Sequence, residues 1–225
     1  MGIIFGFLSL FCLALLLVKA ITHKFSWKKA DRFLFKLHKP LSVLFLLFTI
    51  LHLIFVFPLL KGRAIFVTIS GFFIFFIGIL LIVLCHTIKK PKQKLFWHRI
   101  LAFGMLIFAV IHFIVYTNDF RNYQTGIENI EIEEPDLSTI SDGVYTGSCD
   151  VGYIYAKVNV TIKDGAIEKI DLIEHRNERG TPAEAIIPKM QDQQKIDVEA
   201  VSGATNSSKV IKKAVENALA SADNK

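Results

Sequence analysis

Glu199-Ala200-Val201-Ser202-Gly203-Ala204-Thr205, followed by Asn206-Ser207-Ser208 and a periodic apolar run over residues 210–220, reads as a loop of small residues opening onto a helix. Gly203 and Ala204 permit close backbone approach. The free N–H groups at the start of the helix, and the positive end of its dipole, suit a phosphate. Thr205 adds a hydroxyl inside that anion site. A helix start capped by Ser or Asn has the same composition, so the pattern alone leaves both readings open.

Upstream of this stretch the sequence is rich in short β-forming runs. Val144-Tyr145 comes first, residues 153–162 then alternate apolar and polar, and a second run covers 167–173. Lys163-Asp164-Gly165 lies between the two longer runs, and an Asp-Gly turn between alternating segments signals a hairpin. Tyr153 and Tyr155 are expected in that first strand. Residues 181–191 suit a helix with Pro182 in its first turn, and a last helix is expected over about 207–220. Together these describe a small α+β domain over residues 142–225. Residues 118–141, polar and acidic with one proline, read as a linker.

The first half is different. Residues 1–123 carry 15 Lys and Arg against 2 Asp and Glu, and residues 124–225 carry 11 against 18. Apolar stretches at 3–21, 41–60, 65–88 and 95–116 each approach the roughly 20 residues needed to cross a bilayer. The first lacks a positive n-region and an A-x-A site, so it reads as an anchor and not a cleaved signal. Lys24, Lys28, Lys29, Arg32, Lys36 and Lys39 separate spans one and two; Lys89, Lys90, Lys92 and Lys94 separate spans three and four. Only Lys61 and Arg63 lie between spans two and three. The positive-inside rule then puts the N-terminus and everything after residue 116 outside, in a multi-pass cell-membrane protein. The basic charge is thereby accounted for by membrane loops, with no nucleic-acid partner. Cys12, Cys85 and Cys149 include no C-x-x-C pair, which argues against iron–sulfur, zinc and disulfide frameworks.

Six of the seven histidines lie between residues 23 and 112. His38 and His52 are fourteen residues apart, as are His98 and His112. Fourteen residues fall about 40° short of four helical turns and advance about 21 Å, so each pair shares a helix face. Spans two and four run in the same direction, which sets His38 level with His98 and His52 level with His112. Intramembrane ionisable groups are functional candidates, and two layers of facing imidazoles suit two bis-histidine b-type haems. Bonding to one another or to Ser, Thr and backbone carbonyls is the structural alternative. Gly104 offers a porphyrin room. His86 and His23 read as interfacial and solvated, and Lys209, Lys212 and Lys213 as a solvated helix face.

Two resemblances add to this. Ser202-Gly203-Ala204-Thr205, with Asp142-Gly143-Val144-Tyr145-Thr146-Gly147 and Gly152-Tyr153 ahead of it, resembles the FMN-binding domain family, found in the C subunit of sodium-pumping NADH:quinone reductases and the Rnf G subunit. That resemblance implies that a flavin transferase esterifies the FMN phosphate to Thr205, with Glu199 standing where the family has aspartate. It also implies Ser202, Gly203, Ala204, Ser207, Tyr153 and His175 as neighbours of the cofactor, His175 through an imperfect H-x-E-[TS]-x-G-like loop. The doubled His spacing over residues 30–116 is similar to the ferric-reductase-like transmembrane family, which implies His38, His52, His98 and His112 as axial ligands in a cytochrome b-like domain over residues 1–117.

The combined expectation is a four-helix membrane bundle followed by an extracytoplasmic α+β domain. It would carry electrons between a membrane donor such as a quinol and an extracytoplasmic acceptor, through two haems and covalent FMN. A haem-free FMN carrier subunit of a larger redox complex, and a flavin-containing membrane sensor, are the alternatives. No nicotinamide-binding fingerprint is present.

Overall fold

The computed structural model describes residues 1–222; residues 223–225 of the expected domain lie outside the described residues. The chain divides into two compact units, Met1–Thr117 and the remainder from Asn118.

The first unit is helical: α1 (Gly2–Lys24), α2 (Lys28–Val56), α3 (Ile65–Thr87) and α4 (Pro91–Glu128), whose last turns belong to the second unit. All four are long and apolar enough to cross a membrane. Phe33, Phe66, Phe76 and Phe103 are each more than 60 % exposed. An apolar outer face of this kind is unstable in water and matched to lipid. Inside, Cys12, Leu13, Phe45, Met105 and Ala109 form a small core. Thr49 donates to the Phe45 carbonyl at 2.7 Å, so Ser9 Oγ, 2.7 Å from Thr49 Oγ1, is the donor that ties α1 to α2. The helices outrun the apolar spans, α2 starting well before residue 41 and continuing through Pro40. Hydropathy marks only what lipid would cover, whereas the Lys-, Ala- and Leu-rich flanks are good helix formers in their own right.

The second unit holds a three-stranded antiparallel sheet in the order β1 (Gly143–Asp150), β2 (Tyr155–Lys163), β3 (Ala166–Arg176). Asp164 (φ 51°) and Gly165 (φ 72°) make the expected two-residue turn between β2 and β3, where Lys163 pairs with Ala166. Alternate residues of β2 (Ala156, Val158, Val160 and Ile162) are 0–1 % exposed. They pack beneath α6 (Thr205–Ala220), whose Val210, Ile211, Ala214, Val215 and Ala218 are fully buried. α6 lies so close to β1 that a Cβ at Gly147 would collide with the backbone of Ala214 and Ala218. α5 (Ile186–Gln193) packs against β3.

Several expectations need correction. Residues 118–141, read as a linker, are packed: α4 continues to Glu128, and Ile127 and Ile140 are 5 % and 7 % exposed in the domain core. The apolar residues scattered among the acids are what the core takes up. Residues 181–191 form a 3-10 turn, Thr181–Ala185, and only then α5. Tyr153 precedes β2 and shares no strand with Tyr155. Lys212 is not on a solvated face: its side chain is 8 % exposed, and Nζ donates to Asp197 at 2.7 Å and to the Val198 carbonyl at 2.8 Å.

Gly147→Val should cost about 3 kcal/mol, because the opposing atoms are helix backbone and cannot rotate away. Thermal unfolding of the detergent-solubilised chain checks this, with the domain transition displaced downward.

Candidate functional site

The acceptor loop is held at several points. Glu134 accepts from the N–H groups of Ile196 and Asp197. Lys212 fixes Asp197 and Val198 from below. The Val201 N–H donates to Ser208 Oγ at 3.1 Å, and the Ala204 N–H donates to the Val201 carbonyl at 2.9 Å, closing a turn. Within that turn Gly203 has φ +78° and open space where a Cβ would point. A side chain there would be strained by the backbone, not by crowding.

Thr205 is the first residue of α6 and is exposed; Ala204 precedes it as the cap residue, and no side chain caps the helix. The first-turn N–H groups are therefore available to an anion. Ser202, Gly203 and Glu199 are exposed on the same loop.

The other expected neighbours separate into two groups. Ser207 is 2 % exposed and turned to Gly180, where a Cβ would collide with its Oγ. His175, with 3 % of its side chain exposed, is 2.8 Å from Glu184 through Nδ1, and Asn177 Oδ1 receives the Gly180 N–H at 2.7 Å. His175 Nε2 is buried with no hydrogen-bond partner. Tyr153 lies elsewhere, 8 % exposed and stacked on Tyr123 at 4.6 Å and 15°. Tyr123 in turn receives a hydrogen bond from Asn206 Nδ2 at 2.9 Å. Sequence reading missed Tyr123 and Phe120 because acidic composition hid the helix they occupy; their i, i+3 spacing was the available signal.

In the first unit the structure brings His38 and His98 together, ring centroids 5.9 Å apart at 66°. His38 Nδ1 is buried with no partner, and His98 Nδ1 is 3.7 Å from Cys85 Sγ. His52 and His112 line one cavity with Gly6, Gly71, Ser9 and Thr49. His52 Nδ1 donates to the Gly2 carbonyl at 2.8 Å. Ser70 Oγ, already donating to the Phe66 carbonyl at 2.7 Å, must accept from His112 Nδ1 at 2.9 Å. His52 thus carries its proton on Nδ1, which leaves Nε2 unprotonated in the neutral ring, the tautomer a metal ligand needs; His112 also bonds the Val67 backbone. Gly6 and Gly71 clear the space: a Cβ would sit 3.0 Å from His52 and 3.2 Å from His112. Gly104, the glycine expected to make room, faces nothing within 4 Å. His86 bonds its own helix at the Ile82 carbonyl.

Burial, and next to it the Asp150 carboxylate, push the Cys149 thiol up from its ordinary pKa. Its thiolate fraction at pH 8 is accordingly reduced, so iodoacetamide should label Cys149 more slowly than free cysteine. Peptide mapping after timed alkylation checks this.

Residues 152–220, from just ahead of β2 to the end of α6, match the family model of the FMN-binding domain. No curated protein and no solved structure matches the chain. The second unit thus carries a stretch that matches the FMN-binding domain model, and the chain ahead of it holds four helices long and apolar enough to cross a membrane.

Proposed function

We propose that the protein is a membrane flavocytochrome, passing electrons between a membrane donor such as a quinol and an extracytoplasmic acceptor, through b-type haem and FMN esterified to Thr205. The observation that carries the flavin reading is Thr205 itself. It is an exposed hydroxyl on an uncapped helix start, inside the stretch that matches the FMN-binding domain.

When bound, FMN supplies one- or two-electron chemistry and haem iron one-electron chemistry. The chain's own residues attach and orient. Thr205 Oγ1 would become the ester oxygen as a flavin transferase breaks the pyrophosphate bond of a flavin dinucleotide, the nucleoside monophosphate leaving and the hydroxyl proton being released to solvent. The α6 N–H groups face the phosphate charge, and Gly203 leaves its approach open. A tether at this point keeps the flavin from diffusing away on the outer side of a membrane, and the loop charges favour that side.

Among the described residues no group of three or more His, Cys, Asp or Glu side chains is arranged to hold a metal ion. The histidines come as pairs, which suits a group whose own ring supplies the remaining ligands. His52 and His112, which line a shared cavity, and His38 beside His98, fit that requirement. A haem-free FMN carrier is the second reading, favoured by the bonds to Gly2 and Ser70, which would hold His52 and His112 without any metal.

In membranes from a host that makes the transferase, Thr205→Ala should abolish in-gel flavin fluorescence and leave the reduced-minus-oxidised haem band intact. His112→Ala should do the reverse. A fluorescent Thr205→Ala band would refute the attachment site, and a wild-type spectrum without a b-type α band would leave the carrier reading. Protease added to intact spheroplasts should release the flavin domain; protection of that domain would overturn the sidedness.

A further inference from the structure

We propose that Phe120, Tyr123 and Tyr153 form the seat of the isoalloxazine ring, an inference that rests on FMN attachment at Thr205. The residues next to the acceptor hydroxyl lead directly to this cluster. Asn206 follows Thr205, and its Nδ2 donates to Tyr123 Oη at 2.9 Å. Tyr123 stacks on Tyr153 at 4.6 Å, and Phe120 packs against both, its centroid 5.9 Å from each.

The cluster has a floor and an open side. Tyr153 is 8 % exposed and forms the base, whereas Phe120 is 37 % exposed and Tyr123 half-buried. Its place relative to α6 is fixed independently of Asn206. Lys209 Nζ donates to the Ile127 carbonyl at 3.4 Å, Lys213 Nζ to the Glu131 carbonyl at 3.0 Å, and Ile127 is buried in the domain core. The last turns of α4 are thus part of the wall beside the acceptor, although they lie outside the matched stretch 152–220.

The chemistry fits a flat, electron-poor ring. FMN separates its isoalloxazine from the ester oxygen by a phosphate and a five-carbon ribityl chain, so the ring rests beside the start of α6, not on it. Aromatic side chains offer such a ring offset or edge-on contact. The bond from Asn206 fixes the Tyr123 ring, so little rotamer freedom is lost when the flavin docks. A tyrosine in contact with an excited flavin also quenches it by transferring an electron, which gives the arrangement a direct readout.

The test uses the full chain, co-expressed with the transferase and solubilised in detergent. Covalent flavin is first counted by absorbance after denaturation. Tyr123→Leu should lengthen the fluorescence lifetime and raise emission per flavin several-fold, and Phe120→Leu should shift the visible absorption band. Tyr123→Phe, which keeps the ring but lacks an oxidisable phenol, should lengthen the lifetime as Tyr123→Leu does while leaving the absorption band in place. Wild-type protein without covalent flavin would sink the attachment reading itself. Full flavin loading with the visible absorption unchanged in Phe120→Leu would overturn the seat alone. A Tyr123→Leu chain that changes only in unfolding temperature would overturn it equally. Should Tyr123→Leu fail to fold, the exposed Phe120 still decides the question.

Discussion

The second unit depends on how closely α6 lies on the sheet. Gly147 is the point of nearest approach, and the absence of a side chain there lets β1 meet helix backbone directly. That contact sets the height of α6, and with it the position of the helix's first turn. Burial does the rest: the faces of β2 and α6 that meet are almost wholly removed from water, at roughly 25 cal/mol per Å² of apolar surface. Because the helix cannot slide, the loop ahead of it can be pinned by Glu134, Lys212 and Ser208 without being strained into place. An exposed threonine at the end of a rigid loop is a better substrate for a modifying enzyme than one on a floppy tail, since less ordering is needed on binding.

The first unit obeys a different constraint. In a hydrocarbon environment an imidazole must place its polar atoms inside the protein. His52 and His112 each satisfy one nitrogen, on a backbone carbonyl and on a serine whose own proton is already committed. Both rings line a cavity, and glycines at positions 6 and 71 give them their room. The polar bonds that stabilise the side chains are thus the same ones that select their tautomer.

The aromatic cluster ties the end of α4 to the acceptor helix through one amide-to-phenol hydrogen bond. It draws residues of acidic, linker-like composition into the packed domain beside α6. Lys212 makes a similar point: a lysine at a helix position that composition assigns to solvent is spent on holding Asp197 and Val198 in place.

Local patterning was enough for the four apolar helices, the Asp164-Gly165 hairpin, the small-residue approach to Thr205 and the matched spacing of the histidines. Each of these is a property of neighbours along the chain: periodicity, turn chemistry and hydropathy are set within a few residues. Only the tertiary structure decided that residues 118–141 pack into a core, that Tyr123 stacks on Tyr153 and that Ser207 faces Gly180. It alone decided that Gly6 lies against His52 and Gly71 against His112. Those outcomes depend on which distant side chains arrive at the same place, and no local pattern encodes a meeting between segments more than fifty residues apart, such as that of Asn206 with Tyr123.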